Sequence, residues 1–281
     1  MKCQEIKPAI MNVSQCLTRG QVLGLPRLEA QILFLHAAGR SLHDRAWLLA
    51  HDTDEVWPEH IAAFEALAQR RLQHEPVAYI VGQKEFFGLS LTIDKRVLDP
   101  RPDTEVLVEW ARACGQGLER PRYLDLGTGS GAIALALKSQ LPDAQVLAVD
   151  SSTDALNLAA QNAHRLALNV SFLQSHWFSQ VQGKFNVLVS NPPYIEDHDA
   201  HLAMLTHEPL QALTSGPDGL QDIRNIVQNA PNHLEMGGWL LIEHGWQQAT
   251  AVRSLLEQAG FKQVQSKLDL AGIERCSGGQ K

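Results

Sequence analysis

From about residue 100 onward the chain alternates short apolar runs with amphipathic stretches, and this alternation restricts the fold more than any other feature. The apolar runs fall near 122–126, 145–149, 170–174, 185–190, 238–243 and 261–267. Helical spacing is predicted near 104–114, 131–140, 153–167, 219–235 and 246–259. Strand–helix alternation of this kind gives a mainly parallel sheet covered by helices on both faces. Ligands of such sheets bind outside the carboxyl ends of the strands. The expected class is therefore α/β and Rossmann-like.

The preceding residues follow other rules. Residues 1–75 read as a small helical bundle. Ile6, Ile10, Val13 and Leu17 lie at helical spacing, as do Leu28, Ile32 and Leu35, with Gly39 placed as a cap. Ser41 to Asp44 can open the next helix, and Pro58 suits the first turn of a longer one. Between 76 and 99 the period shifts. Val77, Tyr79 and Val81, then Phe87, Leu89, Leu91 and Ile93, alternate like strands, which predicts a β-hairpin linker. The expected domains are thus 1–75, 76–99 and 100–281. The last residues, 277–281, are expected to form the fraying end of an edge strand.

Two stretches carry the chemistry. Asp125-Leu126-Gly127-Thr128-Gly129-Ser130-Gly131 joins the first core strand to a helix. Its glycines alternate, so it is neither the dinucleotide fingerprint nor a P-loop. Gly127, Thr128, Gly129, Ser130 and Gly131 let the backbone approach a ligand closely. Asp125 can attract a cationic group. Asp150, at the tip of the next strand, can accept both hydroxyls of a ribose. An adenosine ligand with a positive charge and no phosphate fits this set, namely S-adenosylmethionine. Trp177 suits either the adenine ring or ordinary core burial.

The second stretch is Asn191-Pro192-Pro193-Tyr194, after the strand-like run 185–190. The Asn191 carbonyl and a prolyl backbone carbonyl can accept the two hydrogens of a planar NH2, with the Tyr194 ring packed against the substrate. Bending that NH2 out of plane favours the transition state over the ground state. The same four residues also suit a plain turn after a strand.

Composition narrows the substrate. The net charge is −7, and Arg70-Arg71 is the densest basic patch, which disfavours a bare nucleic-acid backbone. The four cysteines are scattered and no His-Glu-x-x-His occurs, so no metal site is expected. No apolar run approaches membrane-spanning length, and the start lacks a signal peptide's apolar region, so a cytoplasmic location is expected.

Pro100-Arg101-Pro102-Asp103-Thr104-Glu105, the loop from Gly127 to Gly131, Asn191 to Tyr194, Glu208-Pro209 and Glu243-His244-Gly245 together resemble the HemK/PrmC type of bacterial peptide chain release factor N5-glutamine methyltransferase. The resemblance spans essentially the whole chain. It implies a class I methyltransferase domain with a mostly parallel seven-stranded sheet, S-adenosylmethionine as cofactor, and methylation of the glutamine amide in the Gly-Gly-Gln motif of class 1 release factors. It places cofactor contacts on Gly127 to Gly131, Asp150, Trp177 and Asn191. Substrate contacts fall on Asn191, Pro192, Pro193 and Tyr194, of which Asn191, Pro192 and Tyr194 are the catalytic candidates. The helical bundle would help dock the release factor. Apart from the resemblance, a monomer is the default expectation. Two positions depart from the family pattern: His176 stands where an Asp is common, and Asp99 where an apolar residue is. The competing reading is a DNA or RNA exocyclic-amino methyltransferase, which would need base flipping. The chain's own Gly278-Gly279-Gln280 repeats the substrate tripeptide, which short peptides do by chance.

Overall fold

A computed structural model describes residues 11–281, which divide into two compact units, up to Gly82 and from Gln83 onward. Ile6 and Ile10 lie outside the described residues.

The first unit is helical. Asn12 caps the helix Val13–Val22 through a reciprocal bond with Gln15. Helices Arg27–Ala37 and Pro58–Leu72 bring Phe34 and Phe64 edge to face, with centroids 5.8 Å apart. Gly20 permits this packing, because a β-carbon there would meet the Phe64 ring at 2.8 Å. Asp44 caps Arg45–Ala50 by accepting from Trp47 N, and Ser41 is not part of that cap. Val77–Val81 departs from the strand expectation and forms one helical turn and a half. Val77, Tyr79 and Val81 alternate as in a strand, but Pro76 presets the entry and Gly82, at φ +75°, closes the turn in the left-handed region. The hairpin is correspondingly shorter, pairing Gln83–Phe86 with Leu89–Thr92, and it belongs to the second unit.

The second unit holds a seven-stranded sheet. We label its strands β1 (Arg122–Leu126), β2 (Gln145–Asp150), β3 (Ser171–Gln174), β4 (Phe185–Ser190), β5 (Leu234–Glu243), β6 (Lys262–Leu268) and β7 (Glu274–Gln280). Its main helices are α1 (Glu105–Cys114), α2 (Ala132–Gln140), α3 (Thr153–Arg165), α4 (Gln221–His233) and α5 (Ala249–Gln258). The spatial order is β3-β2-β1-β4-β5-β7-β6, parallel from β3 to β5, with β7 antiparallel to both neighbours. The chain runs outward from β1 to β3 and then crosses back to β4 on the other side of β1. That reversal opens a crevice at the carboxyl ends of β1 and β4.

Central strands read as continuous apolar runs because both faces are covered. Leu124 and Leu126 of β1 and Val187, Leu188 and Val189 of β4 are fully buried. Helix α2 is buried along Ala132–Leu137, consistent with its high-propensity, nearly all-apolar sequence. It ends at Gln140, with Leu141 as its non-helical cap, since the following Pro142 disfavours the helical conformation before it.

The C-terminal tail corrects the expectation of a fraying edge. β7 is an interior strand, and Cys276 to Gly279 are buried. A β-carbon on Gly278 would meet Leu240 O at 2.7 Å and the Trp110 ring at 2.9 Å, and one on Gly279 would meet Phe261 Cβ at 2.8 Å. The Gly-Gly pair therefore has a packing cause. Gln280 pairs with Trp239, toward the amino-terminal edge of the parallel strands, and its side chain donates to Gly237 O. This glutamine stands at the opposite edge of the sheet from Asn191, which argues against its methylation by its own chain.

Candidate active site

The crevice holds a cavity of about 420 Å³, lined by the glycine loop, Asp150, Trp177, Asn191 and Pro193. Several residues among 96–104 and 209–214 also line it.

The floor is the β1–α2 loop. Gly127, Gly129 and Gly131 have φ of +74°, +54° and +84°, values that favour glycine. Gly127, Thr128, Gly129 and Ser130 line the cavity, whereas Gly131 does not. Gly131 begins α2 in the left-handed region, and a β-carbon there would crowd Leu135 at 3.1 Å and Ala159 at 3.2 Å. Asp125 is likewise off the cavity wall. It is wholly buried beneath the loop and accepts from the Thr128 hydroxyl at 2.6 Å. Burial pushes its carboxyl up to about 7 against that bond, and Oδ1 has no partner.

Asp150 reaches the cavity from the tip of β2. Its Oδ2 accepts from Gly129 N and its Oδ1 from Ser152 N, both at 2.9 Å. Burial raises its pKa, and these backbone donors hold it back toward the charged form. A carboxylate has about four lone-pair sites, so acceptor capacity remains for a pair of ligand hydroxyls.

Trp177 follows β3 with φ +50° and donates from Nε1 to Asp222 Oδ1 at 3.0 Å. Asp222 is also held by the Ser215 hydroxyl at 2.8 Å. The indole is thereby fixed beside Gly127, where a β-carbon would meet the ring at 3.3 Å. His176 is exposed at the rim, edge-on to the indole at 6.1 Å. Sequence reading did not find Asp222, because nothing local ties it to a tryptophan 45 positions away.

Asn191 follows directly on β4. Its Nδ2 donates to Thr104 Oγ1 at 3.2 Å, while Oδ1 is buried without a hydrogen-bond partner. A buried, unpaired acceptor costs about 1–3 kcal/mol. Asn191 lines the cavity, and a ligand N–H that reached this oxygen would relieve that cost. Pro193 shares the cavity wall, whereas Pro192 and Tyr194 do not line it. The Tyr194 backbone is clamped by Leu213 O at 3.2 Å and Gln248 Nε2 at 3.0 Å. Burial raises the Tyr194 hydroxyl, and Glu243 adds to the rise, so the phenol is neutral.

Gly219 backs this turn. At φ +67°, a β-carbon would stand 2.2 Å from Tyr194 O. Gly219→Ala is expected to displace the motif, lowering stability by about 1–3 kcal/mol and turnover by more than substrate affinity. Paired thermal melts and steady-state kinetics would check this.

The segments 99–105 and 208–209 meet through a clasp. Arg101 Nη2 reaches Glu208 Oε1 at 2.5 Å, and the Glu208 side chain is 3% exposed. Burial opposes the Arg101 charge, but Glu208 and Asp99 more than offset it. Asp99 also takes Lys84 at 3.3 Å, which gives the departure at this position a local partner. Glu105 accepts from Phe87 N at 3.0 Å and ties the hairpin to α1. Asn162, fully buried on α3, ties the same hairpin to the glycine loop through Thr92 and Ser130 O. Among the described residues, no helix is long and apolar enough to cross a membrane, and no group of three or more metal-ligating side chains occurs.

The chain is similar to proteins of known kind. Residues 102–220 match the family described as methyltransferase small domain, and residues 9–82 match the PrmC N-terminal domain. The chain is 52% identical over 260 residues to the release factor glutamine methyltransferase of Bordetella pertussis (strain Tohama I), covering 91% of this chain and 95% of that one. It is 43% identical over 271 residues to the same-named protein of Escherichia coli (strain K12), covering 95% and 96%. A solved methyltransferase from Pyrococcus furiosus shares the fold with a TM-score of 0.54 at 18% identity, covering 76% of this chain and 96% of that one. With a carbonyl acceptor at the tip of β4, a ribose-competent acid at the tip of β2 and a glycine loop between them, the chain belongs to the release factor glutamine methyltransferase family.

Proposed function

We propose that this protein transfers a methyl group from S-adenosylmethionine to the side-chain amide nitrogen of the glutamine in the Gly-Gly-Gln motif of class 1 release factors. The observation that carries the reading is the unpaired, buried Oδ1 of Asn191, a residue of the cavity wall. When bound, S-adenosylmethionine supplies an electrophilic methyl on a cationic sulfur, and the protein contributes position and hydrogen-bond acceptors.

Asp150 holds the ribose, the backbone of Gly127 to Ser130 lies along the cofactor, and Trp177 flanks the adenine. Asn191 Oδ1 and the Pro192 carbonyl accept the two amide hydrogens. Pro193 borders the slot for the glutamine side chain on the cavity wall, and Tyr194 supports the motif beside it. Amide nitrogen is a weak nucleophile because its lone pair is delocalised. Acceptors that bend the NH2 out of plane are worth more in the transition state than in the ground state. The nitrogen sheds one proton to solvent after transfer.

The first unit, up to Gly82, serves as the docking element for the release factor, and the second, from Gln83, carries the hairpin and the catalytic domain. The enzyme works as a cytoplasmic monomer. The net charge of −7 favours a protein substrate over bare nucleic acid. Labelled-methyl transfer tests the reading, with purified release factor, ribosomal RNA and DNA offered in parallel. Label in the protein alone is expected, and label in either nucleic acid would replace this reading with base methylation.

Asp150→Ala should weaken cofactor binding by about 10- to 150-fold, the loss expected for hydrogen bonds to a charged group. Calorimetric titration would check this, and an unchanged dissociation constant would remove Asp150 from the ribose site.

A further inference from the structure

The two ends of an Asn side chain are nearly equal in shape, so packing alone does not choose which end faces a ligand. The acceptor role given to Asn191 therefore needs something that engages Nδ2 and leaves Oδ1 free to accept. Two side chains behind Asn191 meet that need. Thr104 is 3% exposed, ends a short 3₁₀ turn, and takes the Nδ2 proton on Oγ1 at 3.2 Å. Glu243 ends β5 and is 2% exposed. The register pairs Ser190 with Ile242, so Asn191 and Glu243 are the next residues along two neighbouring parallel strands.

We infer that Thr104 and Glu243 are positioning residues that set the facing of the Asn191 carboxamide, an inference that rests on the acceptor role proposed above. An ionised carboxylate only accepts hydrogen bonds. Thr104 favours the charged Glu243, so the Thr104 hydroxyl proton turned toward Glu243 leaves the Oγ1 lone pairs for Asn191 Nδ2–H. A flipped amide would set Oδ1 against the oxygen lone pairs of both residues. A protonated Glu243 can donate, and it then tolerates the flipped amide.

Burial pushes the Glu243 carboxyl up to about 7, so this control falls within the working pH range. The groups facing it are known. Thr104, Arg275 and Asn191 favour its charge, and Asp103 opposes it. Tyr194 and Cys276 also face it, both with raised pKa values and therefore neutral. Its Oε2 has no hydrogen-bond partner.

The test uses the full chain with release factor as substrate and the variants Thr104→Val, Thr104→Ser and Glu243→Gln. Thr104→Val should lower kcat by at least about tenfold, as for an interaction made in the transition state, with KM and cofactor affinity within about threefold. Thr104→Ser should recover most of the loss. Wild-type kcat should rise with pH through a limb near neutrality, and Glu243→Gln should lose that limb. NMR of the Asn191 side-chain NH2 gives an independent readout, as the pair should be protected in the wild type and lose protection in Thr104→Val. A wild type that methylates normally while Thr104→Val keeps its kcat, or an unchanged limb in Glu243→Gln, would overturn the inference. No transfer by the wild type would instead strike the functional reading, and the NMR experiment still decides the facing of the amide.

Discussion

Replacing Asn191 with alanine is expected to lower the rate of methyl transfer by about 10²- to 10³-fold or more, the cost of deleting one preorganised hydrogen-bonding group from a water-poor site. The dissociation constant for S-adenosylmethionine should stay within about threefold, because the chief cofactor contacts lie elsewhere. The split between the two effects carries the argument. Asn191 Oδ1 is buried and unpaired, so its cost is already present in the folded protein and is relieved when a donor arrives. A group that served only to hold the turn after β4 would, on removal, lower stability and cofactor affinity together. Single-turnover transfer and calorimetric binding on the same preparation distinguish the two. Wild-type transfer rates in Asn191→Ala would leave the motif as a turn.

The second large effect concerns stability. Asp125 is wholly buried beneath the glycine loop and its carboxyl is pushed up to about 7, mainly by burial. Below the unfolded-state value both states hold the proton, and the residue is neutral toward folding. As pH rises from about 4 to 7, the unfolded chain ionises while the folded chain keeps its proton, so stability falls by about 1.4 kcal/mol per pH unit. Above the folded pKa the loss is complete. Asp125→Asn removes this dependence and leaves the amide oxygen to accept from Thr128. Relative to the wild type, the variant should therefore gain on the order of a few kcal/mol between pH 4 and pH 8. Denaturant unfolding at those two values would check it, and parallel curves for the two proteins would show that the carboxyl is not perturbed.

Much of the site was legible because its signals are local. The glycine loop and the Asn191 motif each lie within a few residues of a strand end, and strand–helix alternation says where strand ends gather. The chemistry of their partners was not legible. Thr104 meets Asn191, Arg101 meets Glu208, Trp177 meets Asp222 and Asn162 meets Thr92 across 45 to 107 positions. Such pairs exist only once the sheet order is set. Two local signals were also ambiguous. Val77–Val81 has strand-like residues in a segment too short for period to decide, and proline and glycine at its ends made it a helix. The tail has the small, polar composition of a loose end, yet its glycines are required where β7 slides between β5 and β6 against Trp110 and Phe261.

The central claim is that the Asn191 acceptor holds the glutamine NH2 of a release factor. Its most direct measurement is tandem mass spectrometry of purified class 1 release factor after incubation with this protein and S-adenosylmethionine, beside a release factor whose Gly-Gly-Gln glutamine has been replaced. The account predicts one added methyl on that glutamine and none on the replaced protein. Methyl found on another residue, or equal incorporation into the replaced protein, would contradict it.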